Sequence, residues 1–145
     1  MPKWEDIAIE KLLTYNAKKV ALSGLHLELE SLKAEAFSIR SQSARDIPCK
    51  SASAPNDRLL SNIAMQQEIV SNIRSVKLDV ERIETAFSCL NAEEQVLLDR
   101  FYVNRRMGHV EKLCEDLNLE QSAVYKRKSK ALRNFTIAMY GKTQS

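Results

Sequence analysis

Two long stretches almost free of helix-breaking residues constrain this chain more than anything else in it. From Trp4 to about Phe37 there is no proline, and Gly24 is the only glycine. Apolar residues fall at Ala8, Leu12, Tyr15, Leu22, Leu25, Leu29, Leu32 and Ala36, with Lys19 interrupting the series. From Leu22 onward the steps alternate between three and four, the heptad spacing that keeps one side of a helix apolar. A second stretch, from about Asp57 to Ser88, holds neither glycine nor proline. Its apolar positions are Met65, Ile69, Ile73, Val76, Val80, Ile83 and Phe87, rich in the β-branched residues that favour knobs-into-holes packing. Two helices of similar length make a long antiparallel helical hairpin. Such a hairpin buries only a thin seam and needs a further partner. A second copy, giving a four-helix arrangement, is the preferred solution; folding back onto the C-terminal part is its rival.

Between the two stretches, residues 38–57 read SIRSQSARDIPCKSASAPND. Serines, prolines and scattered charge bury too little apolar surface to order a segment, so a flexible linker is expected there. Asn56 or Asp57, after Pro55, suits the N-cap of the second helix. Residues 1–89 therefore form one helical hairpin region and residues 90–145 a separate C-terminal domain.

With 3 Gly and 3 Pro in 145 residues, the chain lacks the punctuation of a many-stranded sheet, and an all-α fold is expected. Charge is unevenly spread. Residues 1–90 contain 12 Lys/Arg against 12 Asp/Glu. From Gln121 to the end there are six bases (Lys126, Arg127, Lys128, Lys130, Arg133, Lys142) and no acid, which points to an anionic partner at that end. Cys49, Cys89 and Cys114 are too far apart for a metal-ligand cluster, and His26 and His109 add none, so free thiols of a reducing cytosol are expected. The start, MPKWEDIAIEK, places acids where a signal peptide needs an apolar core. No apolar run approaches the ~20 residues that span a bilayer. A soluble cytoplasmic protein follows, without a membrane partner. No phosphate-binding glycine loop or nucleophile-with-base pattern is visible, so neither enzyme activity nor a cofactor is expected.

The C-terminal domain begins with Asn91 and Glu94 three residues on, the spacing of a capping box. Leu97, Leu98, Phe101 and Tyr102 give helical apolar contacts, and Asn104-Arg105-Arg106-Met107-Gly108 breaks the pattern. A short second helix follows, with Val110, Leu113, Cys114 and Leu117 on one face. Asn118 is the turn residue, since asparagine tolerates a left-handed backbone. A third helix starts near Glu120 or Gln121, facing Val124, Ala131, Leu132 and Phe135 inward. Three helices whose last two are joined by a tight turn give a helix-turn-helix, and its second helix enters the major groove of DNA. Lys128 leans toward the core side, so its stem is expected buried with its head at the rim.

Two segments of this domain, LNAEEQVLLDRFY and KLCEDLNLEQSAVYKRKSKALRNF, resemble region four of sigma factors. The whole chain looks like the small phage proteins of the ArpU and RinA type, in which a helical N-terminal part precedes the same module. The resemblance rests on Leu90, Arg100-Phe101-Tyr102, Leu113-Cys114, Val124-Tyr125 and Ala131-Leu132. Asn118 stands where the pattern has Gly, and Glu120 where it has Ser. It implies a phage or prophage transcriptional regulator, with RNA polymerase as a further partner because region four also touches the polymerase.

On such a helix Lys126, Arg127, Lys130 and Arg133 neutralise phosphates of double-stranded DNA, while Arg105 and Arg106 grip the backbone on one flank. Base reading falls to Gln121, Ser122, Ala123 and Tyr125, with Ser129 on the rim. One module binds weakly, so a homodimer or higher homo-oligomer formed through the long helices is expected. Two other functions fit the same sequence: an oligomeric DNA-recognition subunit of phage packaging, and a module that binds RNA polymerase rather than DNA.

Overall fold

The structure, a computed structural model, describes residues 3–45 and 53–143; of residues 43–45 and 53–55 only the backbone is described. Among these residues the protein is all-α, without a strand. Helix α1 spans Trp4–Arg45 and α2 spans Ser53–Ser88. Then come α3 (Ala92–Leu98), a π-helical turn (Asp99–Val103), α4 (His109–Leu117) and α5 (Gln121–Tyr140). No described helix is long and apolar enough to cross a membrane.

Helix occupies more of residues 38–57 than their composition suggests. Continuous backbone hydrogen bonding carries α1 eight residues past Phe37, and α2 already begins at Ser53. Pro55 falls in the first turn of α2, where its missing N–H has no intrahelical partner to lose. Asn56 and Asp57 therefore lie inside α2 rather than capping it. The rest of the expected linker, 46–52, lies outside the described residues.

The chain divides into two compact units, one of residues 1–18 with 79–145 and the other of residues 19–78. This packing boundary falls inside helices, unlike the compositional one at 89/90. In the second unit Leu32, Ile69 and Ile73 form the core, with Leu22, Leu25 and Leu29 against it. Asn62 lies 3% exposed beside them, its amide donating to the Leu32 carbonyl (3.0 Å) and accepting from Gln66 Nε2 (2.6 Å). Asn62 and Gln66 hold the helical positions that continue the Ile69–Ile73 spacing, so Met65 is turned outward, 47% exposed. An amide pair rather than an apolar side chain occupies this end of the α2 stripe, which is why apolar spacing alone misplaced Met65.

The larger of two buried clusters in the first unit draws on both ends of the chain. Ala8 and Leu12 from α1, Ile83 and Ala86 from α2, Leu90, Leu98 from α3, and Ala131, Leu132, Phe135 and Met139 from α5 form a single buried cluster. The N-terminal end of α1 and the C-terminal end of α2 thus pack against the C-terminal helices, the solution held as the rival above. Polar contacts fix the fit at its edges. Asp79 accepts from Lys11 (2.9 Å) and Lys18 (3.0 Å). The Tyr15 hydroxyl donates to Glu84 (2.7 Å), and burial, then that acceptor, pushes its pKa up to about 12. Asn16 donates to the Val103 carbonyl and to Asn104, and Arg82 to the Met139 carbonyl. The helical seam residues Ala8, Leu12, Leu32, Ala36, Ile69, Ile73, Val80 and Ile83 are all buried, as their spacing requires.

Candidate nucleic-acid interface

Each end of the C-terminal helices has a local cause. Asn91 accepts from the Glu94 N–H (2.8 Å) while the Glu94 carboxylate accepts from the Asn91 N–H (3.4 Å), so the capping box is formed. The π-helical turn that follows was not legible in the sequence. Asn104 closes it twice on Asp99, through its N–H to the Asp99 carbonyl (2.7 Å) and its side-chain amide to the Asp99 carboxylate (2.7 Å). Gly108 has φ +72°, a conformation that side chains resist, and α4 starts directly after it.

The turn from α4 into α5 is closed by two backbone hydrogen bonds. Leu119 N–H reaches the Cys114 carbonyl (3.1 Å) and Asn118 N–H the Glu115 carbonyl (3.3 Å), with Asn118 left-handed at φ +54°. Glu120 is extended and its side chain makes no cap hydrogen bond; its carbonyl accepts from Val124 N–H (3.0 Å) and opens α5. Leu97 and Phe101, Leu113 and Val124 form a buried cluster, with Val110, Cys114, Leu117 and Leu119 packed on it. Three elements thereby hold α5 by its Val124 side.

The opposite side of α5 is open. Gln121, Ser122, Tyr125, Lys126, Arg127, Ser129, Lys130 and Arg133 are exposed, and Ala123 is half-buried. At roughly 100° per residue, Ser122, Lys126, Ser129, Lys130 and Arg133 fall within about a quarter-turn of one another. They make a continuous stripe of bases and hydroxyls. Gln121 and Tyr125 border it on one side, Ala123 and Arg127 on the other. Tyr125 is 42% exposed and its ring meets Phe101 edge-on at 5.8 Å. Phe101 also takes the His109 ring at 4.9 Å, so the end of the 104–108 loop and the first turns of α5 share one aromatic support. Arg105 and Arg106 stand exposed on that loop.

Two basic residues behave differently from the stripe. Lys128 is half-buried with its ammonium 5.3 Å from the Phe101 ring centre and 5.8 Å from that of Tyr125, a cation–π seat that accounts for its inward lean. Arg127 donates to Glu93 of α3 at 2.7 Å. Its place on the helix wheel turns it toward α3, and an acid meets it there. Sequence spacing grouped it with Lys126 and Lys130 because the position of Glu93 depends on how α3 and α5 pack. Tyr102, half-buried against both core clusters, has its hydroxyl pKa raised by burial.

No protein-family profile, characterised protein or solved structure matches the chain.

Proposed function

We propose that this protein is a DNA-binding transcriptional regulator of the phage ArpU/RinA type, acting in the cytoplasm, in which α4 and α5 form the helix-turn-helix and α5 is the recognition helix. In this reading α1 and α2 form the antiparallel hairpin that carries the module and joins two copies. The observation that carries the proposal is the exposed stripe of Ser122, Lys126, Ser129, Lys130 and Arg133 on a helix without an acid, held from behind by α3 and α4. A basic side chain neutralises a phosphate and releases its counterion, so such a stripe supplies salt-dependent affinity. Base contacts come from the first turns, where Gln121 and Ser122 carry hydrogen-bonding groups and Tyr125 and Ala123 apolar surface. Arg105 and Arg106 hold the backbone on the flank next to Phe101.

Fluorescence anisotropy on random duplex DNA over a salt series tests this. Lys126→Ala with Arg133→Ala lowers affinity for every sequence and flattens the log–log salt slope by about 1.8, near 0.9 per lost contact. Arg127→Ala, whose charge is already met by Glu93, flattens it by less than Lys126→Ala alone. An unchanged slope in the double variant refutes DNA binding through α5. A second reading has its own support: the exposed acids Glu111 and Glu115 on α4, beside Asp116, which is paired with Arg100 (3.1 Å), offer a surface of opposite sign. A polymerase subunit is the partner proposed for it, and pull-down of RNA polymerase without DNA tests that contact.

A further inference from the structure

The basic stripe of α5 has one border on which a positive charge is cancelled from within the protein. Between α3 and α5 runs a cleft of about 420 Å³, lined by Glu93, Glu94, Arg127, Lys130 and Asn134 among others. Lys130 belongs to the stripe, so the cleft follows the stripe's own edge. Across it the Arg127 guanidinium donates to the Glu93 carboxylate at 2.7 Å. Among the described residues no other base of α5 takes part in an ion pair.

The two neighbouring acids of α3 divide their tasks. Glu94 is committed to the fold: one carboxylate oxygen accepts from the Asn91 N–H in the capping box, the other from the Asn134 amide at 2.6 Å. Glu93 takes no part in that box. Its carboxylate meets Arg127, and the pair is open to water, with the Glu93 side chain 36% and the Arg127 side chain 50% exposed. A pair this open adds little to folding, because solvent screens it and both side chains give up freedom to hold it.

Its larger effect falls on what α5 presents. A cation gains affinity for DNA by neutralising a phosphate and releasing that phosphate's counterion. A guanidinium already matched by a carboxylate has no net charge to offer for this exchange. A phosphate drawn to Arg127 would also stand beside the Glu93 carboxylate, whose like charge offsets the attraction.

We propose that Glu93 is an affinity-limiting residue of the DNA-binding face, an internal substitute for a phosphate that withholds Arg127 from the DNA backbone. The proposal rests on the DNA-binding reading and deepens it. Backbone contacts carry no sequence information, so withholding one lowers affinity for every sequence alike.

The test is a salt series on random duplex DNA, read by anisotropy, with four full-length chains: wild type, Glu93→Gln, Arg127→Ala and the double variant. Glutamine keeps the shape of glutamate and an acceptor for Arg127 but leaves the guanidinium charge unmatched. Glu93→Gln steepens the log–log salt slope by about 0.9, one added contact. The loss of affinity over a fourfold rise in salt, from about 50 to about 200 mM, then grows by a further factor of about 3.5. In the Arg127→Ala background the same substitution leaves the slope where it was. Glu93→Ala repeats the steepening by truncation, and helical circular dichroism of each variant matches wild type. A slope unchanged in both Glu93 variants overturns the proposal. Equal steepening without Arg127 overturns it too, because the gain then comes from removing an acid rather than from releasing an arginine. Salt-dependent binding by wild type, with Glu93→Gln indistinguishable from it, sinks this proposal alone. A wild-type chain that binds no duplex DNA sinks the regulator reading and this proposal with it.

Discussion

Asp79 sits between two ammonium groups and shows how single residues tune the first unit. Burial pushes its carboxyl up, but hydrogen bonds from Lys11 and Lys18 outweigh that and hold it below the usual carboxylate range. Lys11 moves the other way, raised chiefly by its hydrogen bond to Asp79. The lowered carboxyl contributes stability that is present at neutral pH and lost as pH falls through its folded value. The raised amine contributes stability that is lost as pH rises through its own folded value. Asp79→Asn is therefore expected to cost on the order of 1 kcal/mol at pH 7, since the three groups are about a quarter to a third exposed, and to flatten the acid limb of a urea-midpoint profile. An acid limb identical to that of wild type would show that Asp79 is not among the groups setting it. A second residue-scale prediction concerns Asn118, whose left-handed backbone costs an alanine about 1 kcal/mol or more but a glycine nothing. Asn118→Ala should lower the thermal midpoint clearly more than Asn118→Gly does; equal losses would mean the turn relaxes.

Elements come next, and here polar positions matter more than their number suggests. The buried Asn62 amide places one side of α2 against the Leu32 carbonyl, a directional contact that apolar side chains cannot supply. Buried amides of this kind select a register while reducing stability. Asn62→Leu is expected to add about 1 kcal/mol of stability, seen as a higher urea midpoint, because the Leu32 carbonyl keeps its place in the hydrogen bonding of α1 and Gln66 can turn to solvent. A lower midpoint would mean that the hydrogen bonds outweigh the added apolar burial. The π-helical turn is a comparable device in the C-terminal part. By inserting a wider turn after α3, it leads into the 104–108 loop and the His109 contact on Phe101.

At the scale of the whole molecule, the C-terminal helices have only part of their core to themselves. Ala131, Leu132, Phe135 and Met139 share one cluster with Ala8, Leu12, Ile83 and Ala86. A fragment beginning at Leu90 uncovers that side of α5 while keeping the Leu97–Phe101–Leu113–Val124 cluster. Losing several buried aliphatic partners at about 1.5–3 kcal/mol each exceeds the stability of most small domains. The fragment is expected to show reduced helicity and no cooperative unfolding transition, checked by circular dichroism against temperature. A sharp transition near that of the full chain would show that residues 90–145 fold alone. Loss of DNA binding in this fragment would thus report lost folding as well as lost pairing of modules.

Much of this was readable in the chain. Helical class, the seam of α1 with Ala8, Leu12, Leu32 and Ala36 buried and Tyr15, Leu22, Leu25 and Leu29 half-buried, the capping box at Asn91 and Glu94, the left-handed Asn118 and the inward set Val124, Ala131, Leu132 and Phe135 all follow from local spacing and backbone preference. Such signals act over a few residues, so the sequence by itself determines them. Tertiary structure decided the contacts between residues far apart in the chain. It set Glu93 against Arg127, gave the seam to Asn62 instead of Met65, and seated Lys128 over Phe101. It also placed the ends of α1 and α2 in the same core as α5. An apolar stripe records that a helix face is buried but not which other face covers it, because the hydrophobic effect is non-directional.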